Sequence, residues 1–260
     1  VFNYCLFSMT LCKNINQNDM IYKLNNLGFQ AIMSNSAAFY FDMTDDMDME
    51  NSGLNWSGYV NYIDSWGTEP LNVFANKVKL QSLGIKESEI KNKVSLMKSA
   101  RSNFLGIQSQ LWTETAANRY EFDRMLMPNM IIFSERAWGK KEEWLKEKSV
   151  TNQKPLLKKS WNRFANTVGQ RQLPLLSKLN KDLLFDLPKP GAIIEKGILK
   201  IRQQFPGLEI RYTIDGKNPR KTDLLFTKPI EVNPSDKIVV RLFDLNGRGG
   251  NSIKLINGNN

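Results

Sequence analysis

The hydrophobic pattern of this chain changes period once, and the change falls at Leu187-Pro188-Lys189-Pro190-Gly191. Two prolines and a glycine cannot continue a helix, since proline removes a backbone donor and its ring clashes with the preceding turn. Before the break, apolar residues recur at helical spacing between short apolar runs of strand length. Met20, Ile21, Leu24 and Leu27 fall three and four apart, which predicts an amphipathic helix ended by Gly28. Residues 29–34 follow as a short apolar strand, and the apolar start, with Val1, Phe2, Tyr4, Cys5, Leu6 and Phe7, predicts a strand before that helix. A basic amphipathic segment over 87–104 leads into another strand at 104–108, and a helix starting at Pro128 carries Met130, Ile131, Phe133, Ser134 and Ala137. A basic helical region at 154–179 offers Trp161, Phe164, Val168 and Leu175 for packing. Beyond the break the period becomes two. Residues 209–214 and 237–243 alternate, with Asp215-Gly216 and Asn246-Gly247 as turns.

Strands followed by long, polar, aromatic-rich loops, and separated by helices, are the order expected at the end of a parallel α/β barrel, which places function at the carboxyl ends of its strands. The predicted fold class is therefore α/β: a partial (β/α)8 TIM barrel of about the last three β/α units, followed by a small antiparallel β-sandwich. Three strands cannot close a barrel. The predicted divisions are 1–150 for the barrel portion, 151–186 for a helical connector and 187–260 for the sandwich.

Composition removes several function classes. The 260 residues include no histidine, which excludes histidine-based triads and metal sites within this chain. Cys5 and Cys12 are the only cysteines, too few for a zinc set, and from spacing alone they can be bridged or free. No metal or other cofactor is expected. The net charge of +10 would suit a polyanionic partner, but the basic residues are spread and interleaved with glutamates, as on a solvated surface. Nucleic acid is not an expected partner, and no apolar run has the length of a membrane span.

Four clusters offer chemistry. Tyr40 and Asp42, in Phe39-Tyr40-Phe41-Asp42, sit two apart at a predicted strand end, so a phenol and a carboxylate would project together. Trp112 and Glu114, in Trp112-Thr113-Glu114, repeat the spacing with an indole, and aromatic faces with carboxylates are the groups that grip a sugar. Trp56, in Gly53-Leu54-Asn55-Trp56, lies in the long loop from 42 to 70. Ser134-Glu135-Arg136-Ala137-Trp138 closes a helix. Each cluster alone has a plainer reading: a core tyrosine beside a solvated aspartate, a core tryptophan beside a surface glutamate, a lid tryptophan, a structural ion pair.

The ordered combination is more specific. FYFD, GLNW, LGIQSQLWTE and the helix ending in SERAW together resemble the C-terminal half of the catalytic barrel in family 20 β-N-acetylhexosaminidases. LPKPGA, FPGLEIRYTIDGKNP and VRLFDLNGR resemble the C-terminal sandwich domain of bacterial chitobiase-like members. The resemblance implies an exo-acting glycosidase that releases terminal N-acetylglucosamine or N-acetylgalactosamine, with the substrate's own acetamido oxygen as nucleophile. It implies that Tyr40 donates to that oxygen, that Asp42 binds a sugar hydroxyl, that Trp112 floors the pocket, that Glu114 holds the O4 and O6 hydroxyls and that Trp56 serves the aglycone side. It also implies a periplasmic, secreted or cell-surface location and an N-acetylhexosamine-terminated glycan as partner. The family's adjacent Asp-Glu pair, which includes the general acid, has no counterpart, because no Asp-Glu dipeptide occurs here. The chain is thus expected to need the missing N-terminal half of the barrel as a partner, and to be inactive alone. The alternative is a non-catalytic carbohydrate-binding or structural product of a truncated gene.

Overall fold

The computed structural model describes residues 5–8, 19–47, 51–180 and 182–255. The chain divides into two compact units, Val1–Trp161 and Asn162–Asn260. Residues 1–4 of the predicted first strand, and Cys12, lie outside the described residues.

In the first unit, β1 (Cys5–Ser8), α1 (Met20–Asn26) and β2 (Ala31–Asn35) form a parallel strand-helix-strand unit, with Leu6 opposite Met33. Leu27 ends α1 and Gly28 reverses the chain at φ +95°, a backbone that costs glycine nothing. Ile21 and Tyr22 of α1 then pack on Ala31 and Met33, joined by Val73, Phe74, Leu80 and Phe104. Each such fully buried large side chain contributes roughly 1.5–3 kcal/mol of transfer free energy.

After β2 the chain departs from the predicted strand end. Ser36–Phe39 is one helical turn, α2, and Tyr40 rejoins the sheet only as an isolated parallel bridge to Gln110. The cause is local: the Asn35 side chain caps the turn by accepting from the Ala37 N–H at 3.1 Å, and Ala37 and Ala38 favour helix.

The long loop contains α3 (Tyr62–Trp66), and the predicted amphipathic segment before the next strand is broken into pieces. These are α4 (Lys77–Ser82), α5 (Glu87–Ile90) and a 3-10 turn at Lys98–Asn103, with Gly84 at φ +70° interrupting the first two. β3 (Phe104–Gln108) lies parallel to β2, giving the sheet order β1-β2-β3.

The loop after β3 holds a helix absent from the sequence expectation, α6 (Arg119–Leu126). Asn118 caps it onto the Glu121 N–H, and Glu121 reaches back to the Ala117 N–H at 2.7 Å. α7 (Asn129–Trp138) begins one residue later than expected, because Pro128 has a non-helical ψ of 8° and serves as the cap.

α8 (Val150–Thr167) contains the division between the units and runs into a π-helical turn, Val168–Gln172, before α9 (Leu173–Leu179). The wider turn shifts the apolar face. Trp161, Phe164 and Val168 are buried as expected, but after Val168 and its neighbour Gly169 the next buried apolar side chain is Leu173, while Leu175 is 45% exposed.

In the second unit, β4 (Gly191–Glu195), β5 (Ile198–Arg202), β6 (Glu209–Thr213), β7 (Leu224–Leu225), β8 (Ile230–Glu231), β9 (Val239–Phe243) and β10 (Gly249–Lys254) form two antiparallel sheets. Their orders are β10-β9-β6-β7 and β4-β5-β8. Leu199, Phe205, Val240 and Leu242 are fully buried.

Candidate active site

The segments that follow β2 and β3 are stitched together beyond the strands themselves. The Phe41 N–H donates to the Gln110 carbonyl at 2.9 Å, and the Ser109 hydroxyl donates to the Phe39 carbonyl at 2.6 Å. Two stretches of sequence 70 residues apart thereby meet at one end of the sheet.

Asp42 completes that junction. One carboxylate oxygen accepts the Trp112 N–H at 2.6 Å and the other accepts the Thr113 N–H at 2.7 Å, while the residue itself has no exposed surface. Hydrogen bonds to an ionised acceptor are shorter and stronger than neutral ones. Thr113 sits at φ +62°, a left-handed backbone that a β-branched residue rarely adopts. The turn exposes Trp112, at 61% of its surface, and Glu114 to solvent.

Trp56 arrives from the long loop. The Asp42 carbonyl accepts the Leu54 N–H at 2.7 Å, and the Thr44 N–H donates to the Leu54 carbonyl at 2.8 Å, so the Gly53-Leu54 segment runs as a bridge beside residues 42–44. Gly53, at φ +136°, permits this approach: a Cβ there would lie 2.7 Å from the Thr44 nitrogen. A buried hydroxyl pair, Ser57 to Ser36 at 2.8 Å, anchors the far side. The Trp56 ring then meets Tyr40 edge to face at 5.6 Å.

Tyr40 is buried between these elements, in a small cluster with Met43, Val60 and Leu54. Burial, and then the negative charges of Asp42 and Glu114, push its phenol above the ordinary tyrosine value. At neutral pH the group is a protonated hydroxyl, able to donate.

All five residues singled out from the sequence are thus brought to one end of the sheet. Tyr40 is buried as a core tyrosine would be, but Asp42 differs from the plainer reading, since it is buried rather than solvated. The sequence did not single out Gln110, Thr113 or Ser36, whose parts depend on partners far along the chain. Arg136, from the SERAW cluster, is buried away from this group, stacked 5.0 Å over Trp66 with Glu69 at 3.8 Å. Among the described residues no group of three or more aspartate, glutamate or cysteine side chains is placed to hold a metal ion, and no helix is long and apolar enough to cross a membrane.

Comparison with known proteins bears on both units. The family model described as the catalytic domain of glycosyl hydrolase family 20 matches residues 8–141, more than half of the chain. The chitobiase/beta-hexosaminidase C-terminal domain matches residues 175–252. An N,N'-diacetylchitobiase of Vibrio harveyi is 31% identical over 212 residues, 76% of this chain and 23% of that protein. A beta-hexosaminidase of Vibrio vulnificus is 28% identical over 257 residues, 92% of this chain and 29% of that protein. The chain therefore spans about a quarter of the length of these relatives. Among solved structures, a GH20 exo β-N-acetylglucosaminidase from Vibrio harveyi, in complex with N-acetylglucosamine, aligns at 21% identity with a TM-score of 0.41, over 64% of this chain and 20% of that one. With its catalytic-domain match across residues 8–141, this chain belongs to glycosyl hydrolase family 20.

Proposed function

We propose that this chain is part of an exo-acting β-N-acetylhexosaminidase that removes terminal N-acetylglucosamine or N-acetylgalactosamine from glycans or chito-oligosaccharides with retention. The observation that carries the reading is the convergence of Tyr40, Trp56, Trp112 and Glu114 around the buried Asp42 carboxylate. In the substrate-assisted scheme the acetamido oxygen attacks the anomeric carbon. Tyr40, protonated and held by burial, donates to that oxygen and fixes it near the attack geometry. Trp112 lies under the sugar's apolar face and against the acetamido methyl, Glu114 accepts from two hydroxyls and Trp56 lies beside the aglycone.

Protonation of the leaving oxygen needs a general acid, which the family carries on an adjacent Asp-Glu pair absent from this sequence. In this reading, residues 1–150 are the last three units of a (β/α)8 barrel, 151–186 a connector and 187–260 a sandwich domain. The barrel's other half supplies the acid and pairs with the outer edge of β3. Support for that partner lies along β3 and α7. Among the described residues β3 pairs with β2 alone. Leu105 and Trp138 stand 48% and 89% exposed beside a cavity of about 410 Å³ that Phe104, Ile107 and Phe133 also line. The family's bacterial members suggest a periplasmic or secreted setting.

The test is hydrolysis of a chromogenic N-acetyl-β-glucosaminide by the purified chain. No turnover is expected from the 260 residues alone, and turnover on addition of an upstream polypeptide carrying an Asp-Glu pair. Robust turnover by the chain alone would contradict the division of labour.

A further inference from the structure

We propose that the solvent face of α9 docks the second unit against an anionic phospholipid surface. Leu175 and Leu179 reach the acyl boundary, and Arg171 and Lys178 meet the headgroup phosphates. The inference does not depend on the sugar site.

The charge of the chain points to this stretch. Between Glu147 and Asp182 it carries eight lysines and arginines and no aspartate or glutamate, so +8 of the net +10 falls here. A basic helical region of this kind is drawn to anionic surfaces.

α9 adds an apolar component. Leu175, Lys178 and Leu179 fall three and four residues apart and share one face of the helix, while Leu173 and Ser177 are buried on the opposite face. Arg171, in the π-helical turn, stands four residues before Leu175. Leu175 is 45% exposed and Leu179 74%. Arg171 and Lys178 are exposed as well, and among the described residues neither has a carboxylate partner.

Leucines flanked by cations select the occupant. A free polyanion would use the charges but leave both leucines in water. A second copy laid face to face would set Arg171 and Lys178 against like charges. A neutral sugar is gripped by aromatic faces, and this face has none. An anionic leaflet satisfies both components, as it does for basic amphipathic helices that lie in the interface plane. Seven residues cannot cross a bilayer, so the contact is peripheral.

The test is sedimentation of the whole 260-residue chain with vesicles of equal parts phosphatidylglycerol and phosphatidylcholine, and with phosphatidylcholine alone. Binding to the mixed vesicles is expected to weaken with salt and to exceed binding to phosphatidylcholine. Arg171→Gln with Lys178→Gln is expected to weaken it by about tenfold or more, since each cation beside such a leaflet contributes about fivefold. Leu175→Ser with Leu179→Ser should weaken it by about fivefold or more. Lys228→Gln with Lys237→Gln removes the same charge elsewhere on the second unit, and should change it by less than about twofold. In the parent chain, amide exchange across residues 171–179 should slow on the mixed vesicles. No binding to them, unchanged exchange, or equal losses from the two lysine- and arginine-directed pairs would overturn the inference. So would a charge effect without a leucine effect, which marks adsorption of any polyanion. A dimer in solution that the leucine pair dissociates would overturn it too, by giving the face to a second copy.

Discussion

The indole of Trp56 stands edge-on to the ring of Tyr40, with centroids 5.6 Å apart and planes at 76°. One ring is 47% exposed and the other is buried, so the pair forms a wall with a wet side and a dry side. Such edge-to-face pairs add about 0.5–1.5 kcal/mol beyond area burial. The wall joins two segments that diverge after Asp42 and meet again only because residue 53 has no side chain.

Gly53→Ala tests that construction. Its Cβ would sit 2.7 Å from the Thr44 nitrogen and 3.1 Å from the Asp42 carbonyl, both backbone atoms that cannot rotate away, and φ is +136°. The substitution is expected to destabilise the first unit by about 1–3 kcal/mol and to raise acrylamide quenching of Trp56. An unchanged denaturant midpoint with unchanged quenching would show that the close approach does not hold Trp56.

Tyr22 offers a pH test. Its hydroxyl donates to the Pro70 carbonyl at 2.8 Å and accepts the Val73 N–H at 3.0 Å. Burial, with the Glu69 charge adding and the Val73 N–H opposing, pushes the phenol far above its ordinary value of 10.0. A raised folded-state value means that above about pH 10 the unfolded chain releases this proton while the folded chain keeps it, so stability falls as pH rises. Tyr40 is shifted in the same direction. Tyr22→Phe is expected to cost about 1–3 kcal/mol at pH 8, leaving two buried backbone groups without their partner, and to flatten the loss between pH 9 and about 11. A parallel alkaline limb in the variant would contradict the assignment.

Arg136 is read as structural, and its removal should show that. The guanidinium stacks over Trp66, donates to the Trp66 carbonyl at 3.3 Å and faces the buried Glu69. Arg136→Met keeps the apolar stem but leaves Glu69 without its cation, an expected loss of about 3 kcal/mol in urea unfolding. Adding Glu69→Gln should recover part of it. A single-variant loss below about 1 kcal/mol would mean that the pair is energetically idle.

Much of this arrangement was legible in the chain itself. The period change at residues 187–191 and the alternating apolar runs beyond it come from local chemistry, as do the Gly28 stop, the strand at 104–108 and the strand expected at 29–34, which forms at 31–35. The pairs Tyr40/Asp42 and Trp112/Glu114 were visible as spacings. Their connection was not, because the bond from Asp42 to Trp112 crosses 70 residues and depends on a left-handed threonine that no propensity favours. The turn at Ser36–Phe39 was masked by its apolar flanks, although Asn35 is a recognisable cap. The exposure of Leu175 followed from a π-helical turn, which shifts the face without marking the sequence.

The most direct measurement is the difference in affinity between N-acetylglucosamine and glucose, read by NMR titration of the full chain and of its Tyr40→Phe and Trp112→Ala variants. If these residues hold an acetamido sugar, the parent chain binds N-acetylglucosamine more tightly than glucose. Tyr40→Phe then erases that difference, and Trp112→Ala weakens both sugars by about tenfold or more, the scale of one lost aromatic contact. Equal binding of the two sugars, or a preference that survives both substitutions, would contradict the site.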